Sequence, residues 1–176
     1  MVAHINSVLL AGPFNGVKIR QTQYGPVANA NLCGIKLDIQ GKEDDKILPN
    51  LDKFQSAVVF DGTMESKQDT KDPQKIWHSV RTSSSHIIPV ETQIPTLNTV
   101  TIVGRVVRAD DTWVTVATSY MIKKTQEWRE RYIYALCKTP MADAQGKTVL
   151  LVGAVRPKYN GNWLMYLEAE TALILS

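Results

Sequence analysis

The residues with chemistry to offer crowd into the second half of the chain. Eight aromatics lie there: Trp113, Tyr120, Trp128, Tyr132, Tyr134, Tyr159, Trp163 and Tyr166. Six bases sit among them: Lys123, Lys124, Arg129, Arg131, Arg156 and Lys158. A flat π-face stacks on any nucleobase, at about 1–3 kcal/mol per base, and lysines or arginines track the phosphates. The mixture is what a protein needs to hold a single polynucleotide strand without reading its sequence. Each aromatic has a plainer reading as a core or interface residue, and Trp113 and Trp163, which alternate with apolar neighbours, are expected in the core. In the first half the candidates are Lys18, Arg20, Tyr24, Lys36 and Phe60. Lys18 and Arg20 are two apart in an alternating segment and share a strand face. That face is either a phosphate rail or an ordinary solvated hairpin.

Charge is distributed to match. Over the 176 residues the formal net charge is +3, but residues 1–37 carry three bases and no acid. Residues 38–72 carry nine acids against five lysines, and residues 97–176 carry ten bases against seven acids. The acidic middle should repel a polyanion that the two flanks accept. Catalytic equipment is thin by comparison. His4, His78 and His86 are isolated, and neither metal-ligand spacing (H-x-x-x-H, C-x-x-C) nor phosphate-loop and nucleophile-elbow motifs occur. The acids Glu43-Asp44-Asp45 sit in a lysine-flanked loop and read as solvated rather than as a cation site. No enzyme, cofactor or metal is expected. Cys33 and Cys137 each lie in an apolar stretch and are expected as reduced core residues of an intracellular protein. No segment approaches the ~18 apolar residues of a membrane span, and the N-terminus shows no signal-peptide pattern.

The elements that must position these residues are strands. Period-two patterns predict strands over Ile5–Ala11, Val17–Thr22 and a long Val27–Ile39, a polar loop through "GKEDDKILPNLD", and a short strand in "FQSAVVFDG". A short helix is expected around Met64–Gln68, and "IIPVETQIPTLN" suits an edge strand or linker. Five strands follow after Asn98: "TVTIVGRVVRA", "TWVTVATSYM", "EWRERYIYALCK", "TVLLVGAVRPKY" and "NWLMYLEAETALIL". One short connection, "TPMADAQGK", separates the third from the fourth. Asn160-Gly161 is a hairpin signal between the last two. Five strands in this order fit a small Greek-key barrel of the oligonucleotide/oligosaccharide-binding (OB) type better than a sandwich, which needs about seven.

"INSVLLAGPFNGVKIRQTQYGPVANANLCG" resembles the opening of bacterial-type single-stranded-DNA-binding proteins, with its Asn-led strand, V-x-L-x-G step, basic hairpin strand, Tyr24-Gly25 and Val27-Ala28-Asn29. "VVFDG" (58–62) looks like that family's third strand. The second half resembles it again: "NTVTIVGRVVRADDTWVTVATSYM" without the basic hairpin, "TQEWRERYIYALCK" for the T-E-W-H strand, and "GKTVLLVGAVRPKYNGNWLMYLEAETALIL" for the final hairpin. The N-terminal copy lacks a clear final hairpin, and its counterpart of the third-strand tryptophan is Phe54 at best. The family's acidic tail, which recruits other enzymes, is not found after "TALILS". The resemblance places Trp128, Tyr159 and Tyr120 where the family stacks bases, with Tyr134 or Tyr132 as a fourth.

Together these readings predict an all-β chain of two tandem OB-fold barrels, the N-terminal one degenerate. Residues 1–95 form an OB-like domain with a long acidic insertion, and residues 96–176 form the second barrel. The expected activity is binding of single-stranded DNA with little sequence preference, protecting it in replication, recombination or repair, in the cytoplasm at the nucleoid. The expected contacts are Lys18, Arg20, Tyr24, Lys36, Tyr120, Lys123, Lys124, Trp128, Arg129, Arg131, Tyr134, Arg156, Lys158 and Tyr159. A homo-oligomer, favouring a dimer, is expected, because "INSVLLAG" is apolar on both faces and asks for a cover. A single-stranded-RNA binder and an OB-fold adapter that has lost its nucleic-acid site remain open beside this reading.

Overall fold

Alternation of apolar and polar side chains builds almost every element of the structure, a computed structural model that describes residues 4–68, 71–72, 76–122, 125–157 and 165–176, with the side chains at 67, 68, 76 and 77 left out. The chain is all-β and divides into two compact units. One comprises Val8–Met64 and His78–Asn98; the other comprises Met1–Ser7, Glu65–Trp77 and Thr99–Ser176.

In the first unit, β1 (Ile5–Thr22) pairs antiparallel with β2 (Gly25–Leu32), and β2 with β3 (Ile35–Gln40). β3 runs parallel to β5 (Ile76–Ser83), β5 adjoins β4 (Ser56–Gln68), and β4 returns to β1. A short edge strand, β6 (Ile87–Val90), adds to β4. The circuit closes around Val8, Leu10, Leu32, Leu37, Ile39, Val59 and Val80, none of which is exposed to solvent.

The other unit repeats the circuit. β7 (Leu97–Ala109), β8 (Trp113–Ile122) and β9 (Glu127–Cys137) pair antiparallel in turn. β9 runs parallel to β11 (Tyr166–Ile174), which pairs with β10 (Thr148–Arg156), and β10 closes on β7. Its core holds Ile102, Val106, Val116, Leu151 and Leu167. At Gly153 β10 and β11 approach closely: a Cβ there would lie 1.9 Å from the Glu168 carbonyl oxygen. Between β9 and β10 the short connection carries a 3₁₀ turn at Ala142–Ala144.

The structure corrects several sequence expectations. Ile5–Ala11 and Val17–Thr22 belong to one strand, bent by a register shift between Asn15 and Lys18. Gly16 supplies the left-handed backbone there, at φ 67°. Conversely, the long strand over Val27–Ile39 is two, because Cys33 and Gly34 both take left-handed φ (54° and 79°) and turn the chain. Two positive φ values in a two-residue connection are the geometry of a tight hairpin. Cys33 is therefore half-buried at a turn, its Sγ–H donating to the Ala11 carbonyl, whereas Cys137 is the buried core thiol expected. Met64–Gln68 is strand, not helix, because β4 continues through it. Val58–Gly62 lies in the fourth strand of its circuit; β3 is the third.

The polar loop after β3 is held by one acid. Asp45 Oδ1 accepts the N–H groups of Ile47 and Leu48, both at 2.9 Å, and Oδ2 accepts the Lys42 N–H and the Ser84 hydroxyl. These bonds set up the 3₁₀ turn Leu48–Lys53, which buries Leu48 and Leu51. Burial raises the Asp45 pKa, but the Ser84 hydroxyl and the three backbone donors outweigh it, and the net shift is downward from 3.8. A depressed carboxyl contributes stability above its unfolded pKa and loses it as pH falls through the folded one. Asp45→Ala should therefore cost about 0.5–2 kcal/mol at neutral pH, the scale of a lost cap. In paired thermal melts the gap to wild type should close as the pH drops below about 3.8; a gap that persists at acid pH would contradict this role.

Candidate functional site

The β8–β9 ribbon keeps an unbroken register from Trp113↔Leu136 to Ile122↔Glu127. Val114 and Val116 on β8, with Ile133, Ala135 and Cys137 on β9, face the core. The pleat then sends Trp113, Thr115, Ala117, Ser119 and Met121, together with Trp128, Glu130, Tyr132, Tyr134 and Leu136, to the outer face. Trp128 is 67% exposed and Tyr132 46%. Tyr134 is half-buried. At the far end of the same face Trp113 and Tyr166 pack with ring centroids 5.3 Å apart at 59°. Trp113 is thus half-buried on the outer surface rather than in the core.

Cations border this aromatic row. Arg105, opposite Ala117 on β7, lies 3.5 Å from Glu130, which also accepts the Tyr132 hydroxyl at 3.0 Å. That hydrogen bond and the Glu130 charge raise the Tyr132 pKa above 10.0. Arg156 pairs with Glu168 at 2.5 Å, and on the reverse side of the ribbon Arg129 pairs with Glu127 at 3.5 Å. Such surface pairs contribute about 0–1 kcal/mol, so a phosphate competes for these arginines at little cost.

Arg131 is different. Its position places it on the core-side face of the ribbon, opposite Thr118, and its side chain is only 15% exposed. Its guanidinium lies 2.5 Å from Glu65 and sits over the Tyr120 ring, 3.8 Å from the centroid. Glu65 belongs to the same unit, near the end of β4, and its neighbour Ser66 donates to the Tyr132 carbonyl at 3.3 Å. The expected contacts Tyr120, Arg129 and Arg131 therefore lie on the opposite side of the ribbon from Trp128 and Tyr134.

In the first unit the outer face of β1–β2–β3 carries Lys18 opposite Asn29 and Asp38, Arg20 opposite Val27 and Gln40, and Lys36 opposite Asn31. Asn29 Nδ2 donates to Asp38, and the Ser79 hydroxyl donates to the other Asp38 oxygen at 2.7 Å. Tyr24 stands at the β1–β2 turn, 70% exposed, its N–H held by Thr22 Oγ1 at 3.2 Å. Phe60 lies away from this face, on β4, against His86 at 5.4 Å. Lys123, Lys124, Lys158 and Tyr159 lie outside the described residues, as do Trp163, the Asn160-Gly161 turn and the Trp77 side chain. Among the described residues no cluster of three His, Cys, Asp or Glu is placed to hold a metal ion, and no helix is long and apolar enough to cross a membrane.

No family model matches the chain, and no curated protein matches it in sequence. A solved structure shares its fold. The crystal structure of a deletion mutant of the single-stranded DNA binding protein from Thermus aquaticus matches with a TM-score of 0.76, over 100% of this chain and 97% of that one. Sequence identity is 19%, so the likeness is one of fold. The chain has an OB-type fold similar to that protein's.

One surface residue, Arg105, was passed over in the sequence, and Tyr132 stood there only as an alternative to Tyr134. The signal for Tyr132 was parity. In "EWRERYIYALC" the apolar positions 133, 135 and 137 fix the inner face, so 128, 132 and 134 must share the outer one. Arg105 had no comparable signal, since only the β7–β8 register brings it beside Tyr132. If the exposed indole of Trp128 is placed as described, Trp128→Phe should blue-shift the tryptophan emission and reduce acrylamide quenching. An unchanged quenchable fraction would show Trp128 buried.

Proposed function

We propose that this chain binds single-stranded DNA with little sequence preference, through two tandem OB-fold barrels, and protects the strand in replication, recombination or repair without catalysing a reaction. The observation that carries this reading is the row of Trp128, Tyr132 and Tyr134 on the outer face of the second and third strands of a five-stranded circuit, bordered by arginines in weak surface pairs. That face is where OB barrels bind oligonucleotides. The name of the Thermus aquaticus counterpart agrees with it. The N-terminal barrel has the less aromatic binding surface: among the described side chains on its β1–β2–β3 face, bases and amides outnumber aromatics, and Tyr24 serves at the rim. It holds phosphates through Lys18, Arg20 and Lys36, while the other barrel stacks bases on Trp128, Tyr132 and Tyr134 and meets phosphates beside them through Arg105 and Arg156, with Arg129 on the reverse side of the ribbon. Lys123, Lys124, Lys158 and Tyr159 complete the proposed contacts.

Binding to a fluorescent dT oligomer over a salt series separates the two kinds of contact. The slope of log K against log salt should be about −0.7 per phosphate neutralised, and Lys18→Ala with Arg20→Ala should reduce it by roughly one to one and a half. Trp128→Ala and Tyr132→Ala should each cost about 1–3 kcal/mol with little change of slope. A flat salt response together with unquenched tryptophan on addition of poly(dT) would favour the adapter. Equal or tighter binding of rU would favour an RNA ligand.

The same reading includes a dimer, which would bring four barrels to one strand. Closed two-fold dimers are the commonest oligomers, and β1 begins with Ile5 exposed and Leu9 half-buried in a run of apolar residues. Light scattering at micromolar protein should give about 39 kDa, twice the 19.6 kDa chain, and Leu9→Lys should halve it. A wild-type mass of 19.6 kDa would retire the dimer.

A further inference from the structure

The arginines of this chain fall into two environments. Those at Arg105, Arg108, Arg129 and Arg156 have about half or more of their side chain in solvent, each beside an acid that is itself a third or more exposed. Arg131 has 15% exposed, and its partner Glu65 has 4%. A charge withdrawn from water this far needs a matched partner, and Glu65 supplies one at 2.5 Å. The other face of the guanidinium lies on Tyr120, at 3.8 Å, a cation–π arrangement that strengthens when desolvated. The three groups come from β4, β8 and β9. Beside them Ser66 donates to the Tyr132 carbonyl, so β4 touches the β9 backbone next to the exposed stacking tyrosine.

We infer that Glu65 is a positioning residue for the binding ribbon: it neutralises Arg131, presses its guanidinium flat on Tyr120, and so makes Arg131 a structural plate rather than a phosphate contact. The geometry separates the roles. A guanidinium serving a phosphate presents its N–H edge to the strand, whereas this one gives its edge to a buried carboxylate and its face to a ring. Tyr120 gains a fixed orientation from the cation held on its face. The ribbon that carries Trp128 and Tyr132 is braced from its inner side, where β8 and β9 have run past the barrel core.

The functional part of this inference rests on the proposed DNA binding, so the test has one arm with DNA and one without. In dT binding over a salt series, Arg131→Met should leave the slope of log K against log salt unchanged while weakening binding severalfold. Glu65→Gln, which releases the guanidinium and loosens the ribbon, should likewise weaken binding severalfold with the slope unchanged. A slope made shallower by about 0.7 in Arg131→Met, or binding left at the wild-type strength in both variants, would overturn the inference. Should Glu65→Gln alone fail to fold, the double variant Glu65→Gln/Arg131→Met removes both charges. It should recover the lost thermal midpoint and keep the wild-type slope, and a shallower slope in it would also overturn the assignment. The DNA-free arm is the Arg131 δ-proton resonance. In the free wild-type protein it should be shifted upfield by the Tyr120 ring and should move toward the random-coil position in Glu65→Gln. An unshifted resonance in wild type overturns the bracing itself. A wild-type protein that binds no dT but shows the shifted resonance would sink the DNA-binding reading and leave the bracing standing.

Discussion

A pleated strand has two faces, and a small barrel can bury only one of them. Where β8 and β9 wall the barrel, Val114, Val116, Ile133 and Ala135 fill the inner face and the aromatics are left outside. Beyond that point the ribbon continues and the barrel does not, so both faces need partners from elsewhere. The inner face receives Glu65 and the Arg131–Tyr120 stack. The outer face keeps Trp128 in water. Exposed aromatics gathered in one patch mark a binding surface, and here the register that buries the valines leaves Trp128 and Tyr132 nowhere else to go. The candidate site is in this sense the remainder of a packing problem.

Much of this was legible in the sequence. Five strands after Asn98, their order, the short connection at "TPMADAQGK" and the all-β class follow from period-two patterning and turn residues, and the described strands begin and end within a few residues of those limits. The errors have physical causes. At Cys33-Gly34 the buried positions slip from even (28, 30, 32) to odd (35, 37, 39), but apolar residues crowd both sides of the two-residue reversal and Cys is not a familiar residue at positive φ, so the turn was masked. At Met64–Gln68 a polar, charged segment without β-branched residues read as helix, yet the strand ladder carries it. Residue types identified the candidate ligand chemistry but not its sidedness. Arg131 and Trp128 are three residues apart and so face opposite ways, which composition ignores and the pleat decides.

Electrostatics sorts the same residues by solvent. The accessible pairs Arg105–Glu130, Arg129–Glu127 and Arg156–Glu168 hold their cations loosely, in high dielectric and under screening. The buried pair Arg131–Glu65 is a matched unit whose halves depend on each other. In the other unit, Asp38 stands on the same face as Lys18 but is engaged by Asn29 and Ser79, which spreads its negative charge into a neutral network beside the bases.

The turn at Cys33-Gly34 has a practical consequence. The two thiols of the chain are chemically unequal: burial pushes Cys137 up to about 11, so it stays protonated and out of reach at neutral pH, while Cys33 stands half-buried on a reversal between β2 and β3. A maleimide dye or spin label should therefore modify the native chain at one place without mutagenesis. The attached probe would sit at the end of the Lys18–Lys36 face, a ready-made reporter for whatever settles on it.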